Sequence, residues 1–361
     1  MRARSALPLR WRLPCCSRWS GGAAARVPPS FFGVNPWLSF EGTDFHRLQT
    51  AKVHNARTPF FWPTIEPSPG DFHWAATDRF VGTSAVVGVR TLPFLNGSPS
   101  WVTSDSRHAP VRSKKARKRW TRFVKAAVER YGRHGKYWRH HPNVPKLPIT
   151  TWQVWNEENN SHYYSPRPSP RGYAQLVKLA HRAAKSVDRR AKIVIGGLPG
   201  HPKPKHSMNS PRFLSKLYHQ KRIKRAFNAV AVHPYAPSIN NLRRQLSSLH
   251  KVMRHHHDHG QIWITEMGWG SAHPSKRWPL LKGVHGQAKM LKRSFRLLLR
   301  HRKSWNVKRV YWCEWRDAAP DAPTNCSFCK SAGLFTYDFH PKPSWRAFLK
   351  FTRHPHHRHH H

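Results

Sequence analysis

Acidic residues are scarce in this 361-residue chain: 16 Asp and Glu stand against 64 Lys and Arg, a formal net charge of +48. No window holds about 18 consecutive apolar residues, which excludes an ordinary membrane-spanning helix. Five cysteines are too few for a small disulfide scaffold, and a chain of this length buries a core without one. A Gly-rich phosphate loop is missing too, since Gly196-Gly197 is only a lone pair. What is present is globular. The 17 Trp, 18 Phe and 38% hydrophobic content exclude a disordered basic chain. The charge admits two readings, a cationic surface without a special role or attraction to polyanions such as nucleic acid, acidic glycan or cell wall.

The acid deficit makes each glutamate informative. There are seven: Glu41, Glu66, Glu129, Glu157, Glu158, Glu266 and Glu314. Three sit inside apolar runs, where surface filling does not account for them: Glu157, Glu266 and Glu314.

Residues 1–30 are basic and small-residue-rich and read as a disordered leader or tail. Arg10 and Arg12 interrupt the one stretch that could serve as a signal peptide, although residues 21–25 suit a cleavage region. Residues 351–361 read as a His-rich tail. Neither that tail nor His255–His257 has a designed metal-ligand spacing, so no metal and no cofactor is expected.

Between these ends, over residues 31–350, strand-like and helix-like segments alternate. Runs rich in β-branched and aromatic residues cover 31–35, 53–57, 89–94, 149–155, 192–196, 229–233, 261–265 and 309–315. Helical patterns with basic polar faces cover 77–87, 115–131, 170–186, 211–221, 239–256, 286–302 and 344–351. Such alternation predicts parallel strands joined by right-handed crossovers, and eight units predict a closed single-domain (β/α)8 barrel. A Lys/Arg-rich insertion surrounds the helix after the third run.

A barrel's chemistry sits at the carboxyl ends of its strands. Those ends carry Asn35, Arg57, Asn96, Asn156 with Glu157, His233 with Tyr235, Glu266, and Trp315 with Asp317. Capping or turn roles explain Asn35 and Asp317. They explain Glu157 and Glu266 poorly, because Glu is not a favoured cap. These two end the fourth and seventh runs, which face each other across an eight-stranded cylinder. Paired carboxyls across a sugar-sized gap are what glycosidic cleavage requires: an acid for the leaving oxygen and a carboxylate for the anomeric carbon. A metal-dependent reaction would want more than the single His at the strand ends.

The ordered set Trp152-Gln153-Val154-Trp155-Asn156-Glu157, His233-Pro234-Tyr235 and Ile264-Thr265-Glu266-Met267-Gly268-Trp269 resembles retaining glycoside hydrolases of clan A, nearest the family 39 and family 5 types. Supporting similarities run from Phe31-Phe32-Gly33-Val34-Asn35 through Trp62-Pro63 and Leu92-Pro93 to Gly333-Leu334-Phe335, so the resemblance covers about residues 31–350. It implies Glu157 as acid/base and Glu266 as nucleophile in a two-glutamate double displacement on a β-linked glycan or glycoside. It also implies Asn156 on the substrate 2-hydroxyl, Arg57 holding Glu266 ionised, and Tyr235 hydrogen-bonded to Glu266. Asn96 and His233 would line the sugar site, with Trp315 as its platform. No accessory β-sandwich is expected.

Other residues carry weaker signals. Glu158 is read as loop structure or a distal subsite contact, and Glu314 as a neighbour of the platform. Cys326-Ser327-Phe328-Cys329 is either a zinc half-site or a loop-pinning disulfide, the latter suiting a secreted or cell-surface protein. Cys313 reads as a packed small hydrophobe. The competing function is a non-catalytic cationic barrel that binds polyanionic glycan or nucleic acid. Under the glycosidase reading the partner is a carbohydrate, with no specific nucleic acid, and surface charge adheres to anionic polymers in a salt-dependent way.

Overall fold

A computed structural model describes residues 27–36, 40–322 and 326–353. Most of the leader and of the His-rich tail therefore lies outside the described residues. Eight parallel strands close into a barrel in sequence order: β1 (Phe32–Val34), β2 (Asn55–Phe61), β3 (Arg90–Asn96), β4 (Thr151–Val154), β5 (Lys192–Pro199), β6 (Ala229–His233), β7 (Gln261–Met267) and β8 (Val307–Trp312). The circle closes where Phe32 to Val34 of β1 pair with Val310 to Trp312 of β8. The expected (β/α)8 barrel is present.

The helices are α1 (Gly42–Thr50), α2 (Trp62–Ile65), α3 (Ala75–Val86), α4 (Lys114–Tyr131), α5 (Lys136–His140), α6 (Pro170–Val187), α7 (Ser210–Tyr218), α8 (Ile239–His255), α9 (Gly283–His301) and α10 (Pro343–Thr352). Their starts follow capping chemistry. Ser113, Ser169, Asn209 and Ser238 each accept a hydrogen bond from a first-turn backbone N–H of α4, α6, α7 and α8. In α4 the buried face runs Ala116, Trp120, Phe123, Val124, Ala127, Val128, Tyr131, the spacing of one helical stripe. Lysines and arginines fill the opposite faces. The basic excess thus lies outside the apolar layer between helices and sheet. Among the described residues no helix is long and apolar enough to cross a membrane.

The short helices α2 and α5 were not anticipated, and three further elements differ from the sequence expectation. α1 was not anticipated because only Phe45 and Leu48 give it an apolar stripe; it is fixed instead by its start, where the Glu41 N–H donates to Asp44 Oδ2 at 3.0 Å. β2 runs four residues past Arg57, through Pro59, and stays in register with β3 as far as Phe61 opposite Asn96. Arg57 is therefore in mid-strand, aimed along the barrel axis, and not at a strand end. β8 stops pairing at Trp312, which leaves Trp315 three residues beyond it.

The barrel interior is layered. A small apolar cluster of Leu92, Val194, Ala229, Ala231, Trp263 and Tyr311 fills the middle, separate from the larger core under the helices. Above it, toward the carboxyl ends of the strands, lies a polar layer containing Arg57, Gln153, His233, Thr265 and Glu266, all buried. The apolar cluster is the floor of that layer.

Candidate active site

Glu157 follows β4 by three residues, and its own backbone is left-handed at φ 49°. A turn holds it there: the Asn160 N–H donates to the Glu157 carbonyl at 2.8 Å, and Asn160 Nδ2 donates to Glu157 Oε2 at 2.9 Å. Its other carboxyl oxygen lies 2.9 Å from His233 Nδ1. Burial pushes the Glu157 pKa up to about 7, with Asn160 and Arg57 opposing the shift. Half of such groups carry a proton near neutrality.

Glu266 projects from β7 into a different environment. Arg57 Nη1 donates to its Oε1 at 2.7 Å and the Tyr235 hydroxyl to its Oε2 at 2.8 Å. Arg57 is fully buried and fixed on every side. Its Nε donates to Gln153 Oε1 at 2.8 Å, its Nη2 to Asn156 Oδ1 at 2.7 Å, and its plane lies 3.9 Å over the Phe94 ring. The paired carboxylate and these acceptors together compensate a charge that burial would otherwise penalise. Asn156 spends its oxygen on Arg57, so its amide N–H2 remains as a donor to the cavity. Asn96 ends β3 half-buried at the rim.

His233 stands between the two glutamates, 2.9 Å from Glu157 and 3.4 Å from Glu266. Its far nitrogen is 3.0 Å from Thr265 Oγ1. It is fully buried, so it does not line a sugar site as expected from the sequence; it positions the two carboxyls instead. Burial drives its pKa down to about 3, with Glu266 opposing and Arg57 assisting, and the ring is neutral. A tight approach from β5 makes room for it. Gly197 lies at φ 118° in a bulge where β5 shifts register against β6, and a Cβ there would come 2.9 Å from His233 Nε2. Gly197→Ala is expected to destabilise the fold by roughly 1–3 kcal/mol and lower the thermal midpoint, through strain and displacement of His233. Gly42→Ala, with nothing within 4 Å of the new methyl, should leave the midpoint unchanged or raised. Equal midpoints for both variants would contradict this account of the bulge.

Trp315 is not a sugar platform. It is 2% exposed, donates its indole N–H to Asp44 Oδ1 at 2.8 Å, and packs among Phe40, Phe335 and Trp345 behind the barrel mouth. Once β8 ends at Trp312, the chain turns outward, and Cys313 is the residue left near the site, 3.8 Å from Asn35 Nδ2. Glu158 is fully buried beside the Tyr173 hydroxyl, away from any distal subsite. Burial raises its pKa to about 8 and that of Glu314 to about 9, the latter helped by Glu266 and Asp317. Cys326 and Cys329 are joined in a disulfide, and Phe328 between them packs on the Tyr235 ring at 5.1 Å. The pinned loop thereby backs the tyrosine that holds Glu266.

Glu157, His233 and Glu266 each offer one ligand atom, all within 4.8 Å of one another, which is the donor set of a metal site. The fit is poor. Both His233 nitrogens already have partners, and the Arg57 guanidinium 2.7 Å from Glu266 repels a second cation.

Sequence reasoning missed Gln153, Asn160 and Thr265. Asn160 had a readable signal, an Asn three residues after Glu157 in a turn-forming Asn159-Asn160 pair. Gln153 and Thr265 had none, since each is one inward residue of an apolar strand.

No family model matches the chain, and no curated protein matches it. Solved structures do. A family 39 glycoside hydrolase from the gut symbiont Bacteroides cellulosilyticus WH2 superposes with a TM-score of 0.64 at 20% identity. That match covers 90% of this chain and 63% of the other. A glucosidase from Croceicoccus marinus gives 0.67 at 14% identity, covering 92% and 69%. A monomeric beta-xylosidase from Caulobacter crescentus CB15 gives 0.64 at 17%, covering 91% and 69%. The fold is that of clan A glycoside hydrolases. In this barrel the glutamate pair lies at the carboxyl-end mouth, with Arg57, His233 and Tyr235 between and beneath the two side chains.

Proposed function

We propose that the chain is a retaining O-glycosyl hydrolase acting on a β-linked glycoside or glycan, with Glu157 as acid/base and Glu266 as nucleophile. The observation that carries this reading is the contrast between two carboxyls whose near oxygens lie within 4.8 Å. One is pushed up to about 7 by burial, so it holds a proton to give; the other is hydrogen-bonded by a guanidinium and a phenol. A gap this short supports direct attack, since inverting pairs stand ~6.5–9.5 Å apart to admit a water. The β-xylosidase among the similar structures supports a β linkage.

In the first step Glu266 attacks the anomeric carbon while the bond to the leaving oxygen breaks and Glu157 gives that oxygen its proton. In the second, Glu157 takes a proton from water, the hydroxide oxygen bonds the anomeric carbon, and Glu266 is released. Asn156 Nδ2 donates to the sugar 2-hydroxyl, and Arg57 balances the charge that moves on and off Glu266. His233 fixes the spacing of the pair. A secreted or cell-surface setting belongs to the same reading, supported by the Cys326–Cys329 disulfide.

The test is the stereochemistry of the first product. Hydrolysis of a panel of aryl β-glycosides, followed by NMR before mutarotation, should show the β-anomer first. The α-anomer first would overturn retention, and no cleavage of any β-glycoside would favour the non-catalytic barrel.

The pH dependence follows from Glu157. Its proton is needed for leaving groups that cannot depart as anions, and that proton is lost as pH rises through about 7. For an alkyl glycoside, kcat/KM should fall about tenfold per pH unit above that value. For a dinitrophenyl glycoside, whose leaving group needs no proton, this fall should be absent in the glycosylation step. An identical fall for both substrates would assign the limb to another group.

A further inference from the structure

The opposite mouth of the barrel, at the amino ends of the strands, forms an open cavity of about 360 Å³, within the size range of small-molecule sites. Four cations line it: Arg90, Lys192, Lys308 and Arg309, and no carboxylate does. The strand pairing brings them together, since Arg90, Lys192 and Arg309 lie in the lowest inward layer, directly below Leu92, Val194 and Tyr311. Arg309 is half-buried, stacks 5.4 Å over the Trp263 ring, and has one hydrogen bond, from Nη1 to the Lys308 carbonyl. Burial, with Arg90 adding to the effect, lowers its affinity for its proton. A cation set against other cations inside a barrel normally has a counter-charge.

The neutral groups around it are donors as well. The Tyr311 side chain is 2% exposed and lines the cavity. Gln261 uses its oxygen to accept from the Trp263 indole at 2.9 Å, which leaves its N–H2 unspent. Surface charge bias explains lysines on helix faces; it does not explain arginine, phenol and amide donors converging on one concave space with no carboxylate.

We propose that this amino-end cavity is a binding site for a compact phosphate-bearing anion of pyrophosphate size, held by Arg90, Lys192, Lys308 and Arg309 with Tyr311 and Gln261 as neutral donors. Guanidinium groups bind phosphate oxygens two at a time, and the Trp263 ring keeps Arg309 oriented for it. The same chemistry could belong to inorganic pyrophosphate or to the diphosphate of a nucleotide. The site is separate from the glutamate pair, with the apolar layer between them.

Calorimetric titration of the full-length protein with sodium pyrophosphate, at fixed ionic strength, tests the proposal. One saturable site per chain is expected, and Arg90→Gln with Arg309→Gln should weaken it about tenfold or more, the loss of at least one charge-assisted hydrogen bond. Lys118→Gln with Lys125→Gln removes the same charge from the exposed face of α4 and should change affinity less than twofold by comparison. Because removing the half-buried Arg309 can disturb folding, Lys192→Gln, at an exposed position on the cavity rim, provides a second variant and should also weaken binding. Tighter binding of ADP than of pyrophosphate would point to a nucleotide source, and equal binding to the inorganic ion. The proposal fails if pyrophosphate binds at many weak sites, if the α4 variant loses as much affinity as the cavity variants, or if only long polyanions bind.

Discussion

Glu266→Ala is expected to lower turnover of aryl β-glycosides by on the order of 10⁴-fold or more, the scale seen when a nucleophile is removed from a concerted site. Both steps fail at once, because no carboxylate remains to form the glycosyl-enzyme bond. The variant also leaves Arg57 without its 2.7 Å partner, although Asn156 and Gln153 still accept from it. A fall in thermal midpoint is therefore expected beside the loss of rate, and far-UV circular dichroism must show the barrel intact before the rate is interpreted. Azide separates the two causes. Entering the space vacated by the side chain, it attacks the anomeric carbon from the side Glu266 occupied, in one displacement, with Glu157 still able to protonate the leaving group. The product should be a glycosyl azide of inverted, α configuration. A folded variant that keeps more than a few per cent of its activity would remove Glu266 from the reaction.

Much of this site is legible in the sequence because the acid deficit removes competing explanations for each glutamate. The strand β6 is read to the residue, since Ala229 to His233 is an unbroken buried run between polar turns. Other positions depend on facts that one strand's sequence does not contain. Arg57 reads as a strand end because Thr58-Pro59 interrupts the pattern, yet β3 continues to pair beyond it. Trp315 reads as inward because Arg309 to Trp315 looks like one strand; the chain leaves the sheet after Trp312 and the alternation phase is lost. His233 shows its residue type but not its burial, which follows from Gly197 on β5 letting the neighbouring strand close on it. The cationic cavity is the extreme case. Arg90, Lys192 and Arg309 each open or nearly open a strand, where a basic residue is unremarkable, and only the stagger of a closed barrel places them on one level.

Glu157→Ala should give the opposite pattern to Glu266→Ala, and it tests whether proton transfer and bond formation are divided as proposed. Alkyl glycosides should lose about 10²–10⁴ in kcat/KM, the usual worth of general acid catalysis. Dinitrophenyl glycosides should lose far less in that parameter, since their leaving group departs unaided and Glu266 can still attack. Their kcat and KM should fall together, because the second step now lacks a base and the glycosyl-enzyme accumulates. A burst of released phenol, equal to the enzyme present, should precede the slow steady state. Azide needs no base, so it should raise kcat in this variant. Here it displaces Glu266 from the anomeric carbon, and two displacements leave a β-glycosyl azide, the configuration opposite to that from Glu266→Ala. The fall in rate above pH about 7 should vanish with the side chain that causes it. Asn160 and His233 lose one partner each in the variant, so the fold must again be checked by thermal unfolding. Equal losses for alkyl and dinitrophenyl substrates, in a folded protein that azide does not rescue, would mean that Glu157 holds the loop after β4 and gives no proton.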